Sequence, residues 1–171
     1  MKENILLIGF MGVGKGTIAR AFSKEYSVYN IDTDDLIESK ENRRIPKIFE
    51  KFGEDYFRAL EKDTAIWLEK SVTGTLISCG GGFYKVDNIN RIGKVIYLDA
   101  PFDWIYNRLS TAKNAESKLA KRPLFQDLKK AKALYKERKK AYKKVADLVV
   151  NVKDKDEKEI IKEIAKFAGI K

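Results

Sequence analysis

Asn4-Ile-Leu-Leu-Ile-Gly9-Phe-Met-Gly-Val-Gly-Lys15-Gly-Thr17 decides the reading of this chain. The apolar run Asn4 to Ile8, ending at Gly9, predicts a strand buried on both faces. Ile18, Ala21, Phe22 and Tyr26 then recur at helical spacing. Between the two, Gly9 to Thr17 has the spacing of a phosphate-binding loop. Its glycines let successive backbone N–H groups curl toward one point, and the helix start adds its positive end. Gly12, Val13, Gly14, Lys15, Gly16 and Thr17 are therefore candidates to wrap a nucleotide's phosphates, with Lys15 reaching the β- and γ-phosphates. The full pattern has Ser or Thr after the Lys, as a magnesium ligand, whereas Gly16 stands there. Thr17 does not replace it, because consecutive helical residues point about 100° apart. The metal is expected to be held mainly by the phosphates and water. A bland glycine-rich strand-to-helix turn is the alternative.

The 171 residues suffice for one domain with its own core. Histidine is absent, which excludes Ser-His-Asp and Cys-His nucleophiles and His-based metal sites. The single Cys79 cannot form an internal disulfide or a thiolate zinc site, and a reducing cytoplasmic setting follows as the simplest expectation. The uncharged run Ile5 to Gly14 is too short for a bilayer, and no cleavage pattern follows it. The formal charge of +10 is local: Lys113 to Lys144 holds 13 basic and 3 acidic residues. Nucleic-acid binding, a solvated basic helix face, or a lid over a phosphorylated ligand would each explain it.

Further strands are expected at Val28 to Ile31, Thr75 to Cys79, Lys94 to Leu98 and Leu148 to Val152. Asp35 to Lys70 reads as helical pieces broken near Pro46 and Gly53, with a stripe of Phe57, Leu60, Thr64, Trp67 and Leu68. Pro101 starts a helix through Leu109, Leu128 to Ala146 is a long basic helix, and Glu157 to Ala168 closes the chain before Gly169. Polar Ser110 to Lys121 is expected to be a mobile loop. Alternating strands and helices predict an α/β fold with a parallel central sheet.

Asp32 and Asp34 flank Thr33 at the end of the second strand, so in extended chain their carboxylates share one side. One could face a hydrated metal while the other accepts a hydrogen bond from a hydroxyl; alternatively an Asp caps the helix starting near Asp35. Arg58 and Glu61 are spaced i, i+3, next to Phe57 and near Phe49, and fit a surface ion pair. Arg138 falls on the apolar stripe of its helix with Leu134, Ala141 and Val145. There it either snorkels or meets an anion, and a planar carboxylate suits its fork. Gly80, Gly81 and Gly82 point to a close backbone approach by a ligand, or to a flexible turn.

Taken together, GFMGVGKGT, DTDD, IFEKFGEDYFRALE, CGGGF, KRPLF and LYKERKKAY, in this order, resemble the shikimate kinases of the nucleoside-monophosphate-kinase-like P-loop group. The resemblance implies a three-layer α/β fold with a five-stranded parallel sheet, a substrate-binding region at about 33–61 and a lid at about 110–124. It implies transfer of the ATP γ-phosphoryl group to the 3-hydroxyl of shikimate, with magnesium, on the route to chorismate and aromatic amino acids. Asp34 would contact the reacting hydroxyl; Arg58, Arg138 and Gly81, within Gly80 to Gly82, would hold the substrate; Phe49 and Phe57 would pack on its ring beside Glu61. Arg122 would close from the lid, with Lys15 stabilising the transferred group; Arg108 would stack near the adenine, and Asp32 would support magnesium through water. A cytoplasmic monomer acting without nucleic acid or membrane is expected. Gly16 departs from the family, and GKGT is similar to adenylate kinases, so a nucleoside-monophosphate kinase is the enzymatic rival; a nucleic-acid-binding ATPase is the rival of another class. Tyr135 and Tyr142, at helical spacing with apolar partners, favour helix packing over base stacking.

Overall fold

Asn4–Ile8 forms β1, and all five residues are buried, so this strand belongs in the middle of a sheet covered on both faces. In the computed structural model, which describes residues 3–113, 115–120 and 123–170, β2 is Asn30–Asp32, β3 Leu76–Ser78, β4 Gly93–Asp99 and β5 Leu148–Asn151. The order is β2-β3-β1-β4-β5, and every pairing is parallel. Ile5, Leu6, Leu7 and Ile8 are each no more than 1% exposed; burial of each contributes about 1.5–3 kcal/mol relative to exposure.

The helices are α1 Lys15–Tyr26, α2 Thr33–Glu41, α3 Ile45–Ser71, α4 Ile89–Ile92, α5 Phe102–Ser110, α6 Ala115–Ala120, α7 Leu128–Val145 and α8 Glu157–Ala168. α8 opens with a capping box between Asp156 and Glu159 and ends at Gly169 in the left-handed region, as the sequence predicts. α3 carries Pro46 in its first turn and bends at Gly53, whose φ of 81° no ordinary helical residue adopts. Around that bend Ile37, Ile48, Phe57 and Leu60 form a small core of their own, with Phe49 packed against it.

Four expectations need correction. The second strand begins at Asn30 rather than Val28 and ends at Asp32, and α2 begins at Thr33 rather than Asp35. Asp34 therefore lies in the first turn of a helix and not in extended chain, and Asp32 is the capping residue: its Oδ1 accepts the Asp34 N–H at 2.9 Å. Trp67 leaves the expected stripe and is 47% exposed, while Phe57, Leu60, Thr64 and Leu68 are buried. Within Ser110 to Lys121, expected as a loop, Ala115–Ala120 is helical and packs against α5.

The register places Leu7 of β1 beside Ser78 of β3, and Ser78 beside Asp32 of β2. The carboxyl ends of these strands thus lie level, and the loops after them open into one crevice, where open α/β sheets bind ligands. At the other end, Asn4 donates to the Val72 and Ile92 carbonyls at 2.7 and 3.0 Å, beside a hollow of about 670 Å³. Among the described residues no helix is long and apolar enough to cross a membrane.

Candidate active site

The loop after β1 turns through Gly12 and Gly14, at φ 85° and 113°. A Cβ on Gly12 would lie 2.6 Å from Leu109 Cδ1, so both conformation and space require glycine there. Gly14 precedes α1 without a side-chain cap, leaving the helix's first N–H groups for a ligand. Val13 is buried and its N–H closes the turn on the Phe10 carbonyl at 3.2 Å. Lys15 is half-buried, and its Nζ donates to Gly9 O at 2.7 Å and Phe10 O at 3.4 Å. Burial lowers its pKa, against the pull of Asp34 and Asp32. Arg108 donates to the Val13 carbonyl at 3.0 Å, lies against Gly14 and sits over the Trp104 ring at 5.5 Å. Thr17 occupies the first turn of α1, and the nearest atom to a Cβ on Gly16 would be Arg20 Nη1, at 3.4 Å.

Opposite the loop stands the glycine triplet after β3. None of the three lies in the left-handed region that favours glycine, so chain conformation does not explain them. Space does. A Cβ on Gly80 would strike the Asp34 carboxylate, one on Gly82 would strike the Arg58 guanidinium, and one on Gly81 would lie 2.7 Å from Arg138 Nη1. Three side chains distant in sequence meet on three consecutive residues that have none. The triplet is itself anchored: the Gly80 N–H donates to Thr33 Oγ at 2.8 Å, and Tyr142 O–H donates to the Gly81 carbonyl at 2.7 Å.

The charges around it are unevenly satisfied. Asp34 is pushed up to about 7, chiefly by burial and then by the neighbouring Asp32, with Lys15 pulling the other way. Asp32 is fully engaged, accepting Asp34 N–H on Oδ1 and Ser78 O–H on Oδ2 at 2.7 Å. Arg58 is not a mere surface pair: it donates to Glu54 at 2.8 Å and to buried Glu61 at 2.6 Å. Burial raises the Glu61 carboxyl, and Arg58 opposes the rise. The Arg138 Nε is buried and, among the described residues, has no hydrogen-bond partner. Phe49 and Phe57 stack with centroids 4.7 Å apart, next to Arg58, whose guanidinium lies 5.6 Å from the Phe57 ring. Arg122 lies outside the described residues.

The structure thus brings Lys15, Asp32, Asp34, Arg58, Glu61, Arg138 and the glycine triplet to one crevice, and sets Arg108 on the flank of the phosphate loop. Sequence reading missed Thr33, Ser78 and Tyr142. Thr33 sits between two singled-out acids, and Tyr142 lies one helical turn beyond Arg138, so neighbourhood was the available signal.

A P-loop facing a buried carboxylate and a pair of guanidiniums across the crevice of a parallel sheet places the chain among the P-loop phosphotransferases. The comparisons narrow the class. The family model for shikimate kinase matches residues 11–168. The shikimate kinase of Helicobacter hepaticus is 40% identical over 149 residues, covering 87% of this chain and 86% of that protein. That of Lactococcus lactis subsp. lactis is 36% identical over 173 residues, covering 98% and 99%. Among solved structures, shikimate kinase from Acinetobacter baumannii in complex with shikimate is similar with a TM-score of 0.82 and 28% identity, over 98% of this chain and 93% of that one. The Aquifex aeolicus enzyme gives 0.77 and 33%, over 97% and 96%. The chain belongs to the shikimate kinase family, and it is an ATP-dependent kinase.

Proposed function

We propose that this chain transfers the γ-phosphoryl group of ATP to the 3-hydroxyl of shikimate, giving shikimate 3-phosphate and ADP on the route to chorismate and aromatic amino acids. The observation that carries the reading is the meeting of Asp34, Arg58 and Arg138 on Gly80, Gly81 and Gly82, within the electrostatic reach of Lys15. A substrate with a carboxylate at one end and a hydroxyl at the other fits two guanidiniums and one base.

Arg138 would hold the carboxylate with its unpartnered Nε and its Nη groups, in the parallel geometry a guanidinium offers. Arg58 retains two N–H groups beyond those given to Glu54 and Glu61, and would share the same carboxylate. Phe49 and Phe57 would cover the ring. Asp34, with its pKa near neutrality, is suited to accept the hydroxyl proton as the oxygen attacks the γ-phosphorus and the bond to the ADP oxygen breaks. Lys15 and the loop N–H groups of Gly12 to Thr17 would neutralise the phosphate oxygens, since positioning and charge stabilisation supply most of the rate in phosphoryl transfer. Arg108 would lie beside the adenine, and Arg122 would reach the transferred group from a lid at about 110–124 that excludes water.

The residues present fit magnesium as a hydrated ion. Gly16 offers no ligand, and among the described residues no group of three His, Cys, Asp or Glu could hold a metal. Asp32, Asp35 and Ser78 nevertheless line a hollow of about 430 Å³ together with Gly16 and Arg20, and such oxygen donors would suit Mg²⁺ held through water, Asp32 among them. The ion would neutralise charge on the phosphates.

The basic stretch is read as a solvated helix face, since Tyr135 and Tyr142 are buried and present no stacking platform. A cytoplasmic monomer acting without nucleic acid or membrane completes the proposal. Coupled ADP release with shikimate or AMP as acceptor tests it: shikimate alone is expected to raise the rate. Stimulation by AMP and not by shikimate would overturn it in favour of a nucleoside-monophosphate kinase.

A further inference from the structure

Tyr142 has no part in the roles assigned above, yet it sits where two of them meet. It lies one turn beyond Arg138 on α7, is 1% exposed, and donates its hydroxyl to the Gly81 carbonyl at 2.7 Å across 61 residues of sequence. Its ring is wedged between Tyr84, at 5.0 Å and 78°, and Tyr97, at 5.2 Å and 38°. Tyr97 is in turn pinned to the end of β4 through Asp99 Oδ1 at 2.8 Å. The phenol is therefore a fixed donor rather than a swinging one, and burial holds its pKa well above the ordinary value.

Gly81 is the shared element. A Cβ there would meet Arg138 Nη1 at 2.7 Å and Tyr142 Oη at 3.8 Å, so both side chains of α7 close on the same glycine. Among the described residues Arg138 Nε makes no hydrogen bond, and its guanidinium lies directly against the Gly81 backbone. Gly80 and Gly82, bonded directly to Gly81, back Asp34 and Arg58. A shift of the Gly81 carbonyl would thus disturb the carboxylate end of the site first.

We infer that Tyr142 is a positioning residue for the substrate carboxylate: its O–H fixes the Gly81 carbonyl, and Gly81 seats the Arg138 guanidinium. The inference rests on Arg138 being a carboxylate grip, and the test separates the two. Steady-state kinetics and thermal unfolding are compared for Tyr142→Phe, Gly81→Ala, Tyr97→Phe and Arg138→Lys. Tyr142→Phe is expected to raise the shikimate KM about tenfold, the worth of one buried hydrogen bond, with kcat within about twofold and the ATP KM unchanged. Gly81→Ala displaces Arg138 directly and is expected to give the same selective rise. Tyr97→Phe removes a phenol from the same aromatic cluster and is expected to lower Tm without moving the shikimate KM. Arg138→Lys, which loses the planar fork, is expected to raise that KM by about 100-fold. A Tyr142→Phe variant that loses Tm but keeps the wild-type shikimate KM overturns the inference, and so does an unchanged KM in Gly81→Ala if Tyr142→Phe does not fold. If Arg138→Lys also leaves the KM unchanged, the carboxylate grip itself is wrong.

Discussion

Replacing Asp34 by Asn should abolish turnover and stabilise the protein in the same stroke. The Asp34 carboxyl titrates at about 7 in the folded chain against 3.8 as its ordinary value, because burial and the adjacent Asp32 outweigh the attraction of Lys15. The folded state therefore holds this proton to higher pH than the unfolded state does. Below the ordinary value both states are protonated and the group contributes nothing; as pH rises toward about 7 only the unfolded state ionises, and stability falls. Above about pH 7 the penalty is complete, on the order of 4 kcal/mol for a shift of about three units, less whatever local relaxation returns to the ionised form. Asn keeps the shape and carries no charge to desolvate. At about pH 8 the variant should melt higher than the wild type by roughly 5–15 °C, allowing about 2–4 °C per kcal/mol for a chain of this length. At about pH 4 the gap should shrink to less than about 1 kcal/mol. Calorimetric or fluorescence melts across this range measure the difference, and ADP binding should be nearly unaffected because the phosphate loop is untouched. A wild-type-to-variant gap that does not change with pH would refute the reasoning, as would equal loss of nucleotide affinity.

The glycine triplet gives a paired test: Gly80→Ala places a methyl on the Asp34 carboxylate and should cut kcat, whereas Gly82→Ala places one on the Arg58 guanidinium and should raise the shikimate KM. Both displaced atoms are ends of side chains, so Tm should move by only a few degrees; the same kinetic loss in both variants would speak against the division of roles. Gly16→Ser fits sterically, since only Arg20 Nη1 comes near, at 3.4 Å, and should lower the magnesium concentration needed for half-maximal rate; an unchanged metal titration would mean the hydroxyl is dispensable here. Glu61→Gln removes the buried carboxylate partner of Arg58 and should raise the shikimate KM severalfold in initial-rate measurements with little loss in denaturant melts, because burial already disfavours the ionised carboxyl and Arg58 keeps Glu54; an unchanged KM would mean Glu61 does not hold Arg58 in place.

What the sequence discloses follows from how local each physical cause is. The phosphate loop is legible because strand, glycines, lysine and helix are contiguous, and φ values of 85° and 113° at Gly12 and Gly14 are what such a curl demands. Arg138 is legible in its placement, because the stripe of Leu134, Ala141 and Val145 turns it toward the core, and its Nε is buried with no hydrogen-bond partner among the described residues. The boundary at Asp32 was misjudged because a two-residue alternation and a helix cap look alike until the Asp34 N–H commits to Asp32 Oδ1. For the glycine triplet, expected to admit a ligand or form a flexible turn, the structure adds a further reason: it makes room for three side chains of its own chain, which no local pattern can disclose. Thr33 and Tyr142 act on Gly80 and Gly81 through contacts 47 and 61 residues apart, so only the folded topology reveals them.

The arrangement of charge across the crevice is tested most directly by a crystal structure with shikimate and ADP bound. The account requires the acid's carboxylate to lie within hydrogen-bond reach of both Arg58 and Arg138, one hydroxyl to touch Asp34, and the ADP β-phosphate to rest on the loop around Lys15. A carboxylate turned toward Lys15, or a substrate held away from the glycine triplet, would contradict it.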